Sequence, residues 1–379
     1  MDFTFTEEQQ AAAEAARGVF ADVAPDGVPS PALTRGGPVA DHFDRALWEK
    51  LARTDLLGLL LDEEHGGAGL DAVALCLVLR ESAKALARVP LLESSAAAAA
   101  VQAHGGEEAK SELLARAGRG EVVLTVAAHG RTGHDAAELA VTARKDGDAW
   151  VLDGVQTAVP WAFDADYVLV PARTGGDDRS LLALVPRGHE GATLAEQIST
   201  TGERLGELRL DSARIAARHV ITADGAWEEL RALLTTGTCA LALGLGDRVL
   251  AMTSDYAAKR EQFGHPIATF QAVAVQAADR YIDLRAMEVT LWQAAWRISS
   301  GAPGALPASG DIAVAKIWAS EGVRRVVQTA QHLHGGFGAD VDYPLHRFHA
   351  WAKHLELSLG PAAAHEERLG DLLAAHPLA

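Results

Sequence analysis

Apolar side chains at Phe270, Val273, Ala274, Ala277, Tyr281, Leu284, Met287 and Leu291 recur at spacings of three and four. That period places them on one face of a long helix. A stripe of this length needs an equally long apolar partner. Runs at Leu230 to Ala258, Ile312 to Leu333 and Leu345 to Leu359 supply it, and four such helices pack as a bundle. The Gly/Pro/Ala-rich SSGAPGALPASG, Ser299 to Gly310, reads as a loop joining two of them.

Upstream the texture differs twice. Thr6 followed by Gln9 is a capping-box pattern that opens an Ala-rich helix over Glu7 to Val23. Further helices are predicted at about Arg45 to Leu57, Asp71 to Ala87, Leu91 to Ala103 and Glu107 to Arg116. From Val122 the runs are short and β-rich: VVLTV (Val122 to Val126), LAVTARKDGDAWVLDG (Leu139 to Gly154), YVLVPART (Tyr167 to Thr174), LLALVP (Leu181 to Pro186) and LGELRL (Leu205 to Leu210). DGD at Asp146 to Asp148 marks a hairpin. The expected class is α+β: an N-terminal all-α domain (residues 1–118), a central β-barrel or sandwich domain (119–225) and a C-terminal four-helix bundle (226–379).

Charge excludes some functions. A formal net charge of −17 disfavours nucleic acid or an anionic membrane as partner, since both need a basic footprint. Cys76 and Cys239 lie outside metal or CxxC spacing, so buried thiols in a reducing compartment are expected. The N-terminal MDFTFTEEQQ lacks a basic start and an apolar stretch; a cytoplasmic location is the expectation. His332, His334, His346, His349 and His354 cluster, but no acidic or cysteine ligand stands at a recognised zinc spacing, and no metal is expected.

Two stretches are unusual for a bundle. KREQFGHPIATFQ, Lys259 to Gln271, ends one helix in Arg260, Phe263 and a Gly264-His265-Pro266 break before another helix opens. QHLHGGFGADVDYPLHR, Gln331 to Arg347, runs a helix into a glycine turn. Such glycines let backbone amides approach a bound group, and Arg260 can pair with phosphate oxygens.

With the domain order, these stretches resemble the acyl-CoA dehydrogenase family over essentially the whole chain. The resemblance includes Leu56 to Glu81, similar to the family's apolar strand-like stretch, glycine turn and helix. It implies FAD as cofactor and an acyl-CoA as substrate. Arg260 would then meet the pyrophosphate, with Gln262 and Phe263 on the adenosine side, and Gly264, Ile267 and Phe270 completing the motif. Gln271 would lie near the dimer-related cofactor. Gly335, Gly336 and Gly338, preceded by His332 where the family has glutamine, would cover the flavin of a neighbouring subunit. Thr125, and Pro160 in Ala158-Val159-Pro160, stand where the family's β domain touches the flavin, with Trp161 beside them. At least a dimer is implied, commonly a tetramer.

The base is where this sequence departs from the family. Aligning Tyr343 to Arg347 with the family's YPxxR puts the usual glutamate onto Leu359, before Gly360, and the alternative family position falls at about Leu234. Glu356, Asp340 and Asp342 are the remaining carboxylates within reach of that region. TVAAHGRTGHD, Thr125 to Asp135, also loses the family's glutamate, to Val126. The pattern resembles the glutamate-lacking subunit of heteromeric actinobacterial steroid side-chain acyl-CoA dehydrogenases. It implies FAD-dependent α,β-dehydrogenation together with a homologous catalytic subunit. The alternatives are a non-redox structural or cofactor-binding subunit, a self-assembled oligomer, or an oxidase or hydroxylase reaction on the same fold.

Overall fold

The computed structural model describes residues 4–130, 139–175 and 179–377. Residues 131–135 of the TVAAHGRTGHD stretch lie outside the described residues. Helices come first: α1 (Glu7–Phe20), α2 (Arg45–Arg53), α3 (Ala72–Lys84), α4 (Leu91–His104) and α5 (Glu107–Gly118). The capping box forms, Gln9 N–H donating to Thr6 Oγ1 and Thr6 N–H to Gln9 Oε1, which satisfies two amides that a helix start otherwise leaves bare.

α2 stops before the expected Leu57. The Thr54 hydroxyl donates back to the carbonyls of Lys50 and Leu51, and Asp55 enters the left-handed region at φ 55°. The strand-like Leu56 to Leu61 stretch is turns rather than a strand: Leu56 N–H returns to Leu51 O and Leu61 N–H to Gly58 O. Leu56, Leu57, Leu59 and Leu61 are nonetheless buried. An apolar run without alternation specifies burial, and it leaves the backbone conformation to local hydrogen bonding.

The middle of the chain is one mixed sheet built from β1 (Leu124–Val126), β2 (Val141–Asp146), β3 (Ala149–Pro160), β4 (Tyr167–Thr174), β5 (Ser180–Pro186), β6 (Ala192–Ile198), β7 (Arg204–Ala216) and β8 (Val220–Ile221). Its order is β6-β7-β3-β2-β4-β5-β8, with β1 parallel on β4. The DGD hairpin closes through Gly147 at φ 64°, Asp146 pairing Ala149. Sequence reading missed β6 and β8. β6 has no buried residue and pairs only β7, so it carries no core-facing alternation. Near its end β3 loses register against β7 between Gln156 and Val159, with Ala158 at φ 52°; the bulge re-aims Pro160 and Trp161.

The last part comprises α6 (Ala226–Lys259), a hairpin of β9 (Glu261–Gln262) and β10 (His265–Pro266), α7 (Gln271–Ser300), α8 (Ala308–His334), α9 (Leu345–Leu357) and α10 (Ala362–Ala375). The last of these was not anticipated; it packs on α8. Among the described residues α6 alone is long and apolar enough to cross a bilayer, and 78% of that window is buried in the fold. The α7 stripe divides in two. Leu284, Met287 and Leu291 are core, whereas Ala274 and Tyr281 are exposed and Val273 and Ala277 only half-buried; beside the stripe, Val275 and Ile282 are also exposed.

The N-terminal helices meet the bundle where α3 crosses α6. A Cβ on Gly244 would sit 2.0 Å from the Arg80 carbonyl oxygen, and one on Gly237 would sit 2.3 Å from Leu92 Cδ1, so small residues set the helix separation. Above that crossing Arg80 reaches Asp247 at 2.7 Å and Glu288 at 2.9 Å, tying α3 to α6 and α7. Burial works against the Arg80 charge, but the two carboxylates outweigh it and raise its pKa. Gly244→Ala should lower stability by about 1–3 kcal/mol or more, the cost of forcing a methyl into a closed helix crossing. Urea-unfolding midpoints of the variant and wild type check this; unchanged midpoints would show that the crossing opens freely.

Candidate active site

The residues singled out by motif gather in two places. At the end of α6 the Arg260 N–H returns to Tyr256 O, and Arg260 O accepts from Ile267 N–H. This clamps a two-residue turn in which Phe263 and Gly264 both take positive φ, 55° and 79°, the geometry that suits the right-handed strand twist. Phe263 is 91% exposed and meets Phe270 edge-on at 6.2 Å. Gln262, Gly264 and Gln271 are exposed, Ile267 is half-buried, and the exposed Arg260 guanidinium has no counter-ion among the described residues.

The glycine turn lies against the same helix end. Tyr256, one turn before Arg260, stacks on His334 at 4.3 Å and on Phe337 at 5.6 Å. His334 Nδ1–H donates to Ala330 O and its Nε2 accepts from Tyr343 Oη, which fixes a neutral tautomer; burial lowers its pKa. Gly335 and Gly336 are exposed, and a Cβ on either would meet nothing within 4 Å. His332 is exposed beside them. A guanidinium without a counter-ion among the described residues, an exposed ring and exposed glycines that leave room for close approach suit a phosphate-linked nucleotide.

The second place is a cavity of about 70 Å³ where the three parts of the chain converge. Ser82 and Glu93 come from the N-terminal helices, Pro160, Trp161 and Glu203 from the sheet, and Leu241, Trp351 and His354 from the bundle. Thr125 is brought here too: its buried hydroxyl donates to Pro160 O at 2.7 Å. Trp161, at φ 56°, turns its indole toward Glu93. Burial pushes the Glu93 carboxyl up to about 7, while hydrogen bonds from backbone and the Trp161 indole pull the other way. Burial, aided by Lys316, drives His354 down to about 4. Glu93 is a lone acid in the apolar run from Val89 to Val101, and that isolation was the sequence signal for it. Trp351 and His354 carried no such signal.

Around the expected base position, each of the three candidate carboxylates is either engaged or exposed. Leu359 is 6% exposed at φ 59°, and its carbonyl accepts His365 Nε2–H at 2.9 Å. Glu356 accepts from Lys353 Nζ at 2.6 Å. Lys316, fully buried, donates to Ser320 Oγ and to the carbonyls of Leu355 and Glu356, closing the end of α9 with a saturated ammonium; burial lowers it to about 8. Asp340 and Asp342 are exposed, Asp340 Oδ1 accepting the Asp342 N–H in a turn. Neither they nor Glu356 line the cavity.

The raised Glu93 pKa makes folding bind a proton that the unfolded chain releases above about pH 4.5. This contribution is fully present below that pH and is lost as pH rises through about 7. Glu93→Gln should therefore gain stability relative to wild type on going from pH 5 to pH 8, by on the order of 2 kcal/mol. Parallel urea titrations at the two pH values measure it; equal wild-type and variant slopes would refute a raised Glu93.

Residues 6–121 match the model for the acyl-CoA dehydrogenase N-terminal domain and residues 235–373 that for the acyl-CoA dehydrogenase C-terminal domain. The chain is 37% identical to acyl-CoA dehydrogenase FadE27 of Mycobacterium tuberculosis, with 100% of both chains covered. To FadE28 of that organism it is 29% identical, over 85% of this chain and 91% of the relative. Among solved structures, a chain of the ChsE4-ChsE5 complex from Mycobacterium tuberculosis is 36% identical with a TM-score of 0.90, covering 100% of each chain. A chain of the Tcur3481-Tcur3483 steroid ACAD G363A variant is 37% identical with a TM-score of 0.88, covering 97% of this chain and 98% of that one.

Proposed function

This chain belongs to the acyl-CoA dehydrogenase family, and we propose that within it the chain is a subunit without its own base. It would take part in FAD-dependent α,β-dehydrogenation of an acyl-CoA beside a homologous subunit that carries the glutamate. The observation that carries this reading is Leu359, a buried hydrocarbon with its carbonyl fixed by His365, where a proton acceptor is needed. One similar structure is described as a complex of two named components and another carries two joined component names, which supports pairing.

FAD fits the surface at the end of α6. Arg260 would neutralise the pyrophosphate, Phe263 and Gln262 would flank the adenosine, and Gly264, Ile267 and Phe270 would hold that turn in shape. Gln271, His332 and the glycine turn of Gly335, Gly336 and Gly338 would cover cofactor shared with an adjacent subunit. Thr125, Pro160 and Trp161 would form the wall toward the flavin ring. When bound, the flavin supplies the hydride acceptor for the β-hydrogen. The α-proton would leave to a carboxylate of the partner, because His354, lowered to about 4 by burial, is a weak base and Glu356 is bound to Lys353. The exposed Val275, Tyr281 and Ile282 on α7, with Phe263 nearby in sequence, are the apolar surface such a partner would cover.

The chain purified alone should oxidise acyl-CoA, with an artificial electron acceptor, about 10²- to 10⁴-fold more slowly than the pair, the usual contribution of a general base. Full activity of the isolated chain would overturn the reading, and a pair that stays colourless would favour a subunit with no redox role. In the assembled pair, Arg260→Gln should weaken FAD binding by about tenfold or more, the loss of one charge-assisted contact. Flavin released on ultrafiltration reports it, and undiminished retention would remove Arg260 from the site.

A further inference from the structure

A second, smaller cavity of about 20 Å³ adjoins the one described above, sharing Thr201, Glu203 and Trp351 with it. Val28, Pro29, Val39 and Leu86 make most of its wall apolar. Arg347, in the first turn of α9, lines it and is only 7% exposed. Its Nη1 donates to Pro25 O at 3.1 Å, and its buried Nε–H has no acceptor. Among the described residues no carboxylate pairs with this guanidinium. Glu203 is already held by Arg88, Nε to Oε1 at 2.5 Å and Nη2 to Oε2 at 2.8 Å. Thr201 Oγ1 is occupied by the Ser199 hydroxyl and by the Glu203 N–H.

The cavity therefore holds one uncompensated positive charge. Arginine does not shed its proton in a protein, and a buried cation without a counter-ion is costly. Burial depresses the Arg347 pKa, with the exposed Asp26 as the opposing influence. The first turn of a helix adds positive potential rather than relieving it. Space for about one small group remains beside the guanidinium.

We propose that this cavity is a carboxylate-binding site, with Arg347 as the anion's partner. Two sources share that chemistry. One is a free small carboxylate; the other is the far-end carboxylate of a dicarboxylic acyl-CoA lying in the adjoining cavity, a version that rests on the proposed function.

Crystals of the assembled protein soaked in sodium bromide, a heavy stand-in for a monoanion, should show an anomalous peak against the Arg347 guanidinium. Sodium acetate should raise the melting temperature above a sodium sulfate control of equal ionic strength, and Arg347→Met should abolish that rise. If Arg347→Met does not fold, the wild-type bromide and acetate measurements still decide. The source is settled by comparing the CoA thioesters of hexanedioic and hexanoic acid. At least about tenfold tighter binding of the diacid ester, lost in Arg347→Met, assigns the acyl end. A bromide peak with equal binding of the two esters assigns a free anion. No peak, no acetate-specific rise and no ester discrimination would overturn the site. Failure of both esters to bind would count against the proposed function, while the bromide and acetate arms would still judge the cavity.

Discussion

The α3–α6 crossing is the contact on which the arrangement of this molecule depends. Gly244 lets the α6 backbone come up beneath the Arg80 carbonyl, while the Arg80 side chain reaches over to Asp247 and Glu288. The steric term sets the distance between the N-terminal helices and the bundle. The charged term resists sliding, because each partly buried carboxylate would lose one of its two arginine partners and keep only Arg285, which lies on α7 itself. The inter-domain cavity exists only because this separation is fixed, since its walls come from both sides of the crossing and from the sheet.

The two functional regions are built on opposite principles. Around the cavity, groups are closed in and neutral: Glu93 is pushed toward its acid form, His354 toward its base form, and Thr125 is locked onto Pro160. At the end of α6 the groups are open, with Arg260, which has no counter-ion among the described residues, Phe263, Gly264, Gly335 and Gly336 turned to solvent and Gly338 buried. Closed walls of apolar, neutral or paired groups suit an apolar acyl group, whereas an exposed cation beside exposed glycines suits phosphate. The exposed apolar half of α7 adjoins the open region in sequence, which is why the reading requires a second subunit.

Most of the architecture was legible because it rests on periodicity and turn chemistry. The Thr6 box, the DGD hairpin and the long helical stripes are local signals, and each formed within a few residues of its expected limits. Errors fell where local signal was absent. Leu56 to Leu61 is apolar without a period and became buried turns. β6 is polar and pairs at an edge, and α10 follows a Gly-Pro stop that reads as an ending. In the candidate site, Arg260, Phe263 and the glycine turn stand out by motif. Trp351, His354 and the Arg88–Glu203 pair do not, because each gains its role from residues distant in the chain.

By itself, then, the sequence determined most of the segments that are helices and strands, where an arginine and glycines suited to phosphate stand, and that position 359 holds a side chain with no proton to exchange. Those properties belong to covalent identity and short-range spacing. Only the tertiary structure decided that Glu93 is pushed toward neutrality and that Arg347 faces a small apolar cavity without a counter-ion. Only it decided that half of α7 is left uncovered. Charge state and exposure depend on what surrounds a group, and those surroundings are assembled from parts of the chain that sequence spacing does not connect.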